Sequence, residues 1–356
     1  MAIVNSLQRF RSTDSSLDIL WVGTVEGMET DIVTGSGIDI EFIKSSGLVG
    51  KGLIGMIKGL YRLLVGLMQS YILISRFSPD AIFVTGGYTT VPVSVAGWLR
   101  QVPIAIYLPD VEPGLAIRII SKIADRVLIT VEASQEYLKH VKLVVTGYPL
   151  RTQLTNALTM SEDESRSVLG IKNNKTILIV GGSLGARSIN LAALEAGHSW
   201  VSEGFQVIHV TGELGWIESE KIWTDLDSFT KLNYKLFPYL SDKIGVAMRA
   251  SNIVVARAGA SCLGEFPAFG LPAVLVPYPY SWSYQYANAH MLCDQGAAIC
   301  VEDNDLPIVL RQTVSRLLNN DSEMIEFGKN ARLFSNINGA DNIANELRSM
   351  VCGESL

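Results

Sequence analysis

The sequence predicts an α/β protein made of parallel sheets and wound in two successive domains. Short apolar runs alternate with helical segments along the chain, the pattern of strands joined by crossover helices. The runs are rich in Val, Ile and Leu without polar alternation, as strands covered on both faces require. A chain of 356 residues, 48% of them hydrophobic, supplies two cores. The stretch 152–175, polar, charged and without a strand, marks the boundary. The division expected is therefore 1–150, 151–335, and a C-terminal helix and tail over 336–356.

Strands of the first half are expected at Asp18–Gly23, Ala81–Thr85, Val102–Leu108, Arg126–Thr130 and Leu143–Thr146. Those of the second half are Thr176–Val180, Gln206–Thr211, Ile253–Ala256 and Ala273–Pro277. The run 176–180 is β-branched or leucine throughout and ends in Gly181 and Gly182, which let the backbone turn tightly. Ser183 can cap a helix that begins over Ala186–Asn190, so free N–H groups and a positive helix end face any anion in the turn.

A second turn of this kind follows the strand ending at Ala256. In Arg257-Ala-Gly-Ala-Ser-Cys-Leu-Gly-Glu265, small residues at Ala260, Ser261 and Gly264 leave room for a diphosphate. A helix opening at Ser261 carries Glu265 in its first two turns, where a carboxylate can accept two ribose hydroxyls. Thr146-Gly-Tyr-Pro-Leu-Arg151 adds an arginine just after a turn. Two helix mouths, an acid and an arginine fit a nucleoside-diphosphate site, with ligands expected at the strands' carboxyl ends in a cleft between domains.

A net charge of −6 argues against nucleic-acid binding by the molecule as a whole. Cys262, Cys293, Cys300 and Cys352 lack a C-x-x-C pair, and a reduced, cytoplasmic compartment follows. His140, His198, His209 and His290 lack metal-ligand spacing and read as surface or packed histidines.

The segment 48–76 stands apart. From Phe42 to Ser78 it holds Lys44, Lys51, Lys58, Arg62 and Arg76 but no acid, and Lys51, Lys58, Arg62, Gln69 and Arg76 share one helical face. Lys58 and Arg62 disfavour a membrane span. Two readings remain: a helix buried against the sheet with a narrow wet stripe, or a patch that enters the surface of an anionic membrane.

These motifs together resemble the MurG-type glycosyltransferases, which add N-acetylglucosamine to the undecaprenyl-linked muramyl-pentapeptide precursor of peptidoglycan. The resemblance rests on Gly181-Gly-Ser-Leu-Gly-Ala-Arg187 with Asn190, His209-Val-Thr-Gly212, Arg257-Ala-Gly-Ala260 with Glu265, Gly270-Leu-Pro-Ala273, Val276-Pro277, Gln285 and Asn288. In the first half it rests on Trp21-Val-Gly-Thr24 with Glu29, Gly47-Leu48 with Gly50-Lys51-Gly52, Gly86-Gly-Tyr88 with Pro92, and Gly114-Leu115. It implies the GT-B fold, two Rossmann-like doubly wound domains. It also implies a donor site of Arg151, Ser183, Leu240, Ala260, Ser261, Cys262, Leu263, Gly264, Glu265 and Gln285, with Leu240 acting through its backbone. The reaction implied is a single inverting displacement from UDP-N-acetylglucosamine, without a metal or other cofactor. The undecaprenyl-diphosphate-linked acceptor would be met at the cytoplasmic face of the membrane.

Three departures accompany the resemblance. Relatives begin with a strand and a Gly-Gly-Thr-Gly-Gly-His turn, and Ala2–Arg9 resembles the helix after it, so this chain begins roughly one strand and one loop late. Where relatives have His-Glu-Gln-Asn, this chain has Tyr107, Leu108, Pro109 and Asp110. Asp110 is thus the candidate base, with Glu112 nearby, or else a cap for a helix starting near Pro113. Tyr284 replaces the first of a glutamine pair, which bears on the donor sugar. The departures keep alternatives open: a transferase with another lipid acceptor, a UDP-sugar epimerase, or a non-catalytic or partner-dependent UDP-sugar-binding protein.

Overall fold

A computed structural model describes residues 1–9, 17–24, 33–45, 53–138, 142–182, 186–280 and 284–352, with side chains from residue 58 onward in the segment starting at 53. Ser183, Lys51 and His140 lie outside the described residues. The chain forms two compact units: Met1–Pro109 with Pro113–Thr146 and Ala340–Leu356, and Asp110–Glu112 with Gly147–Gly339.

In the first unit β1 (Leu20–Gly23) pairs in parallel with β2 (Asp39–Phe42). A four-stranded parallel sheet holds β3 (Ile82–Val84), β4 (Ile104–Leu108), β5 (Arg126–Ile129) and β6 (Leu143–Val145) in that order. Alternate residues of β4 enter two cores, as the period of a strand requires. Ile104, Ile106 and Leu108 pack with Ile117, Ile120 and Ile129. Ala105 and Tyr107 pack on the opposite face with Leu128, Ile343 and Leu347. The last two lie on the helix Gly339–Cys352, which therefore belongs to the first unit instead of standing apart as a tail. Arg126 ties it down, its Nη1 donating to Glu346 Oε2 at 2.5 Å.

The second unit is a six-stranded parallel sheet. Its strands are β7 (Thr176–Val180), β8 (Gln206–Val210), β9 (Tyr234–Phe237), β10 (Ile253–Ala256), β11 (Ala273–Leu275) and β12 (Ala298–Cys300). The spatial order β12-β11-β10-β7-β8-β9 means the chain winds outward through β8 and β9, then returns to lay β10 beside β7. Between β7 and β10 the winding reverses, and such a switch point opens a crevice at the carboxyl ends of the strands. The register pairs Val180 with Ala256, so the turns after these two strands start side by side.

Strands β2, β9 and β12 are additions to the sequence-based expectation. Asp39 and Glu41 break the apolar pattern of β2. β9 and β12 form the two edges of their sheet, and β12 is only three residues long.

His209 and Asn190 prove to be structural. His209 Nδ1 meets the Tyr234 hydroxyl at 2.8 Å and Nε2 meets Asn190 Oδ1 at 3.0 Å, while Asn190 Nδ2 donates to the Thr211 carbonyl at 3.0 Å. This network braces the turn after β7: a Cβ on Gly181 would stand 2.6 Å from the Thr211 carbonyl oxygen. Burial lowers the His209 pKa from 6.5 to about 3, so the folded ring stays neutral while the unfolded one titrates. The unfolded state then binds more protons between those values. Stability is expected to fall as pH drops from 6.5 toward 3, by up to about 1.4 kcal/mol per pH unit from this group. Denaturant titrations of wild type and His209→Gln across that range check this: the variant curve lacks the component.

Candidate functional site

The turn after β10 carries the candidate donor residues. Ala260–Leu263 forms a single 3-10 turn, with the Cys262 N–H on the Gly259 carbonyl (2.9 Å) and the Gly264 N–H on the Ser261 carbonyl (3.1 Å). A short helix, Glu265–Phe269, then starts afresh. This corrects the expectation of a helix opening at Ser261: Gly264, at φ −131° and ψ −45°, breaks the run, so Glu265 is the first helical residue. Its carboxylate sits at a positive helix end, favourable for an anion.

Glu265 is 8% exposed, and Arg151 Nη2 donates to its Oε1 at 3.3 Å. Burial raises its pKa, while the charge and hydrogen bond of Arg151 pull it down. The Arg151 side chain is 46% exposed against 10% for that of Glu265, so the arginine can turn toward a ligand phosphate and still be solvated. Tyr148 lies in the same cluster: burial and the nearby Glu265 carboxylate raise its phenol pKa, and Arg151 lowers it.

Gly264 lets the two segments touch. A Cβ there would stand 2.1 Å from Tyr148 Cβ, a backbone-anchored atom with little room to move. Gly264→Ala is therefore expected to destabilise the protein by about 1–3 kcal/mol through overpacking, seen as a lowered unfolding midpoint.

Asp110, with Val111 and Glu112, belongs to this unit although the residues flanking that segment, Pro109 and Pro113, belong to the other. The helix Leu115–Ile120 has Gly114 as N-cap with no side-chain cap, so Asp110 does not cap it. Instead Asn288 Nδ2 donates to Asp110 Oδ1 at 2.8 Å and to the Ala258 carbonyl at 3.0 Å, while Asn288 Oδ1 accepts from the Val111 N–H at 2.9 Å. Burial raises the Asp110 pKa and the Asn288 hydrogen bond lowers it. The charge of Asp110 bears on both Tyr148 and Cys262, and that of Glu265 does too, which places both carboxylates in one neighbourhood.

Asn288 is fully buried and holds the 110–112 segment on the turn after β10. It was absent from the donor site expected from sequence. The available signal was its spacing: Gln285 and Asn288 fall three apart on the helix Tyr284–Cys293 and so share a face. Gln285 is anchored by its oxygen, which accepts from the Tyr278 N–H at 2.9 Å. Arg257 also braces these turns: it pairs with Asp303, donates to Ser188 Oγ at 2.8 Å, and lies over the Tyr278 ring at 5.2 Å.

Cys262 and Leu263 are buried in packing, leaving Ala260, Ser261 and Gly264 as the small residues of the turn. Leu240 is 8% exposed, and its carbonyl accepts from the Lys243 N–H at 2.6 Å at the start of a 3-10 turn. Tyr107 and Leu108, which replace polar groups of the resembled family, are core residues of the first unit. The Tyr107 hydroxyl is 2.7 Å from Thr130 Oγ1. Among the described residues no group of three or more His, Cys, Asp or Glu could hold a metal ion.

In the first unit the helix Leu53–Phe77 exposes Leu60, Tyr61, Leu64, Met68, Tyr71 and Ile72. This overturns the reading of a buried helix with a narrow wet stripe. Gln69 and Arg76 turn to β2 and its end: Gln69 Oε1 accepts from the Lys44 N–H at 2.8 Å, and Arg76 pairs with Glu41. Lys58 and Arg62 remain exposed beside the apolar residues. Arg100, beyond the neighbouring helix Thr90–Leu99, lies over the Tyr71 ring at 5.3 Å, next to exposed Trp98 and Leu99. No helix among the described residues is long and apolar enough to cross a membrane.

Two parallel α/β units, the second with glycine turns beside its switch point, define a protein of the GT-B class. The glycosyltransferase family 28 N-terminal domain matches residues 1–129, and the family 28 C-terminal domain matches residues 176–347. The UDP-N-acetylglucosamine–N-acetylmuramyl-(pentapeptide) pyrophosphoryl-undecaprenol N-acetylglucosamine transferase of Thermodesulfovibrio yellowstonii is 34% identical over 86% of this chain and 83% of its own length. The protein of the same name from Desulforamulus reducens is 34% identical over 93% and 89%. The chain belongs to this family, the MurG glycosyltransferases. The crystal structure of Acinetobacter baumannii MurG superposes with a TM-score of 0.75 at 23% identity, covering 98% of this chain and 94% of that one. A UDP-GlcNAc 2-epimerase from Neisseria meningitidis, bound to UDP-GlcNAc, shares the fold at a TM-score of 0.67 and 14% identity, covering 98% and 96%.

Proposed function

We propose that this chain transfers N-acetylglucosamine from UDP-N-acetylglucosamine to the undecaprenyl-diphosphate-linked muramyl-pentapeptide, the reaction its relatives are named for. The observation that carries the residue assignment is the grouping of Asp110, Asn288, Glu265, Arg151 and Tyr148 in one unit, around the turn after β10. Glu265 accepts the two ribose hydroxyls of the donor. Arg151 and the small-residue turn Ala260–Gly264 face the diphosphate, and fixed donors of this kind are worth about 10²–10³ in rate each. Leu240 meets the uracil through its backbone, and the Gln285 amide, its oxygen anchored, offers N–H groups to the sugar. The acceptor hydroxyl gives its proton to Asp110 as its oxygen attacks the anomeric carbon. The bond from that carbon to the diphosphate breaks, and UDP leaves from the opposite face with inversion. Donor binding needs no metal.

The test is transfer of labelled N-acetylglucosamine to the lipid acceptor, run beside calorimetric binding of UDP in EDTA. Product formation with tight metal-free binding supports the reading. Conversion of free UDP-sugar without acceptor would make the chain an epimerase, and binding without transfer would make it a non-catalytic UDP-sugar-binding protein.

The exposed face of the helix Leu53–Phe77, with Lys58, Arg62 and the neighbouring Trp98, docks on an anionic bilayer at the cytoplasmic face of the membrane. Apolar side chains enter the interface and the cations meet lipid phosphates. The double variant Leu64→Asp, Met68→Asp is expected to lower binding to phosphatidylglycerol vesicles by about 10-fold or more, from the lost apolar burial alone. Co-sedimentation measures it, and unchanged binding would move the contact elsewhere.

A further inference from the structure

Tyr148 stands against the donor turn, and the reaction described above gives it no role. Its backbone is held by close contacts on both sides. Gly147 takes φ +84°, and a Cβ there would stand 2.6 Å from Asn336 Cβ. A Cβ on Gly339 would stand 2.3 Å from the Tyr148 carbonyl oxygen. The side chain leaves this clamp against Gly264: a Cβ on that glycine would stand 2.1 Å from Tyr148 Cβ, 2.7 Å from Cγ and 3.0 Å from Cδ1. Gly264 closes the small-residue turn, and Glu265 follows it. Three residues beyond Tyr148, Arg151 Nη2 reaches Glu265 Oε1 at 3.3 Å. The tyrosine is thus fixed beside both elements that face the diphosphate, Arg151 and the turn Ala260–Gly264.

Its hydroxyl is the part that packing leaves unused. The phenols of Tyr107, Tyr234 and Tyr286 meet Thr130 Oγ1, His209 Nδ1 and Glu302 Oε2 at 2.7–2.8 Å. Tyr148 is half-buried, and among the described residues its hydroxyl has no hydrogen-bond partner. A bare ring would fill the same space, so the contact with Gly264 does not call for the oxygen.

We propose that Tyr148 is a further donor-site residue whose hydroxyl donates a hydrogen bond to the diphosphate of the nucleotide sugar, beside Arg151. The role rests on the donor site proposed above. Burial and the Glu265 carboxylate keep the proton on the phenol, although Arg151 favours its loss. A protonated phenol donates without adding charge to a site that already sets Arg151 against Glu265. When the bond from the anomeric carbon to the diphosphate breaks, its electron pair goes to the leaving oxygen. A donor already in place gains strength with that charge, so the rate depends on the hydroxyl more than ground-state affinity does.

Tyr148→Phe keeps the ring and removes only the oxygen. Its thermal unfolding midpoint is expected to match that of wild type, since no hydrogen bond among the described residues is lost. Calorimetry in EDTA uses two probes, UDP directly and uridine by displacement of UDP. The expected result is about 10-fold weaker UDP binding with uridine binding unchanged, and transfer at saturating donor slower by about 10- to 100-fold. That loss should be the same at every pH where wild type is active, because a phenol that keeps its proton sets no limb of the profile. Unchanged UDP affinity and transfer rate overturn the proposal. Equal weakening of UDP and uridine overturns it too, and would make Tyr148 a packing residue of the turn. Wild type that fails to bind UDP would overturn the donor-site reading itself and this role with it, an outcome told apart before any variant is made.

Discussion

Glu265→Ala is expected to lower the affinity for UDP by about 10²–10⁴-fold without unfolding the protein. Two ribose hydroxyls donating to one carboxylate make charge-assisted hydrogen bonds of about 1.5–3 kcal/mol each, and the substitution removes both. The fold does not depend on the same group. Burial raises the Glu265 pKa, which means its ionised form is held against a desolvation cost. Its partner Arg151 has a side chain 46% exposed and stays solvated when the carboxylate is gone. Calorimetry with UDP in EDTA, paired with a thermal unfolding scan, separates the two effects. Unchanged affinity would remove Glu265 from the ribose role.

The raised pKa also sets a sign for the pH dependence. Hydroxyls that donate to Glu265 bind its ionised form, so UDP affinity falls as pH drops through the pKa of the free protein, which lies above the ordinary 4.5. The acid limb therefore begins at higher pH than for a solvated glutamate, and Glu265→Gln, which cannot titrate, lacks it. In the absence of ligand the sign reverses. The folded state holds the Glu265 proton more tightly than the unfolded chain, so this group's contribution to stability is greatest at acid pH. It is lost as pH rises through the folded pKa.

The parallel sheets were legible because strands covered on both faces must be continuous apolar runs, as Thr176–Val180 and Ile253–Ala256 are. β2 and β12 were not legible, since Asp39 and Glu41 interrupt the apolar pattern of β2 and the three residues of β12 are too few to sustain one. The glycine turns were visible as local chemistry. The pairing that makes them neighbours, Val180 beside Ala256, is set by the strand order and leaves no trace in either segment alone. The same holds for Asn288. Its three hydrogen bonds join residues 110, 111 and 258, far apart in the chain, and a buried asparagine on a helix looks like any other until its partners are placed. Conversely, His209 and Asn190 stood out as matches to the family, and burial gives them to the scaffold that shapes the turn after β7.

Asp110→Asn is the sharper test of chemistry, and its expected result is a loss of transfer by about 10²–10⁴-fold with UDP affinity unchanged. The substitution is nearly isosteric. The Asn288 amide, which donates to Asp110 Oδ1 at 2.8 Å, can donate equally to the side-chain carbonyl of the variant. The tether between the 110–112 segment and the turn after β10 thus survives, and what disappears is the ability to take a proton. Burial raises the Asp110 pKa, which brings the base closer to neutral pH and makes it more effective as long as it is ionised. The rate therefore has an acid limb set by that raised value. Asn288→Leu distinguishes positioning from chemistry. It removes the hydrogen bond that lowers the Asp110 pKa, so the acid limb should move to higher pH while some transfer persists. A merely structural Asn288 would lower the amount of folded enzyme and leave the pH profile in place. Near-normal turnover of Asp110→Asn would put the base elsewhere, with Glu112, two residues along the same tethered segment, the next carboxylate to replace.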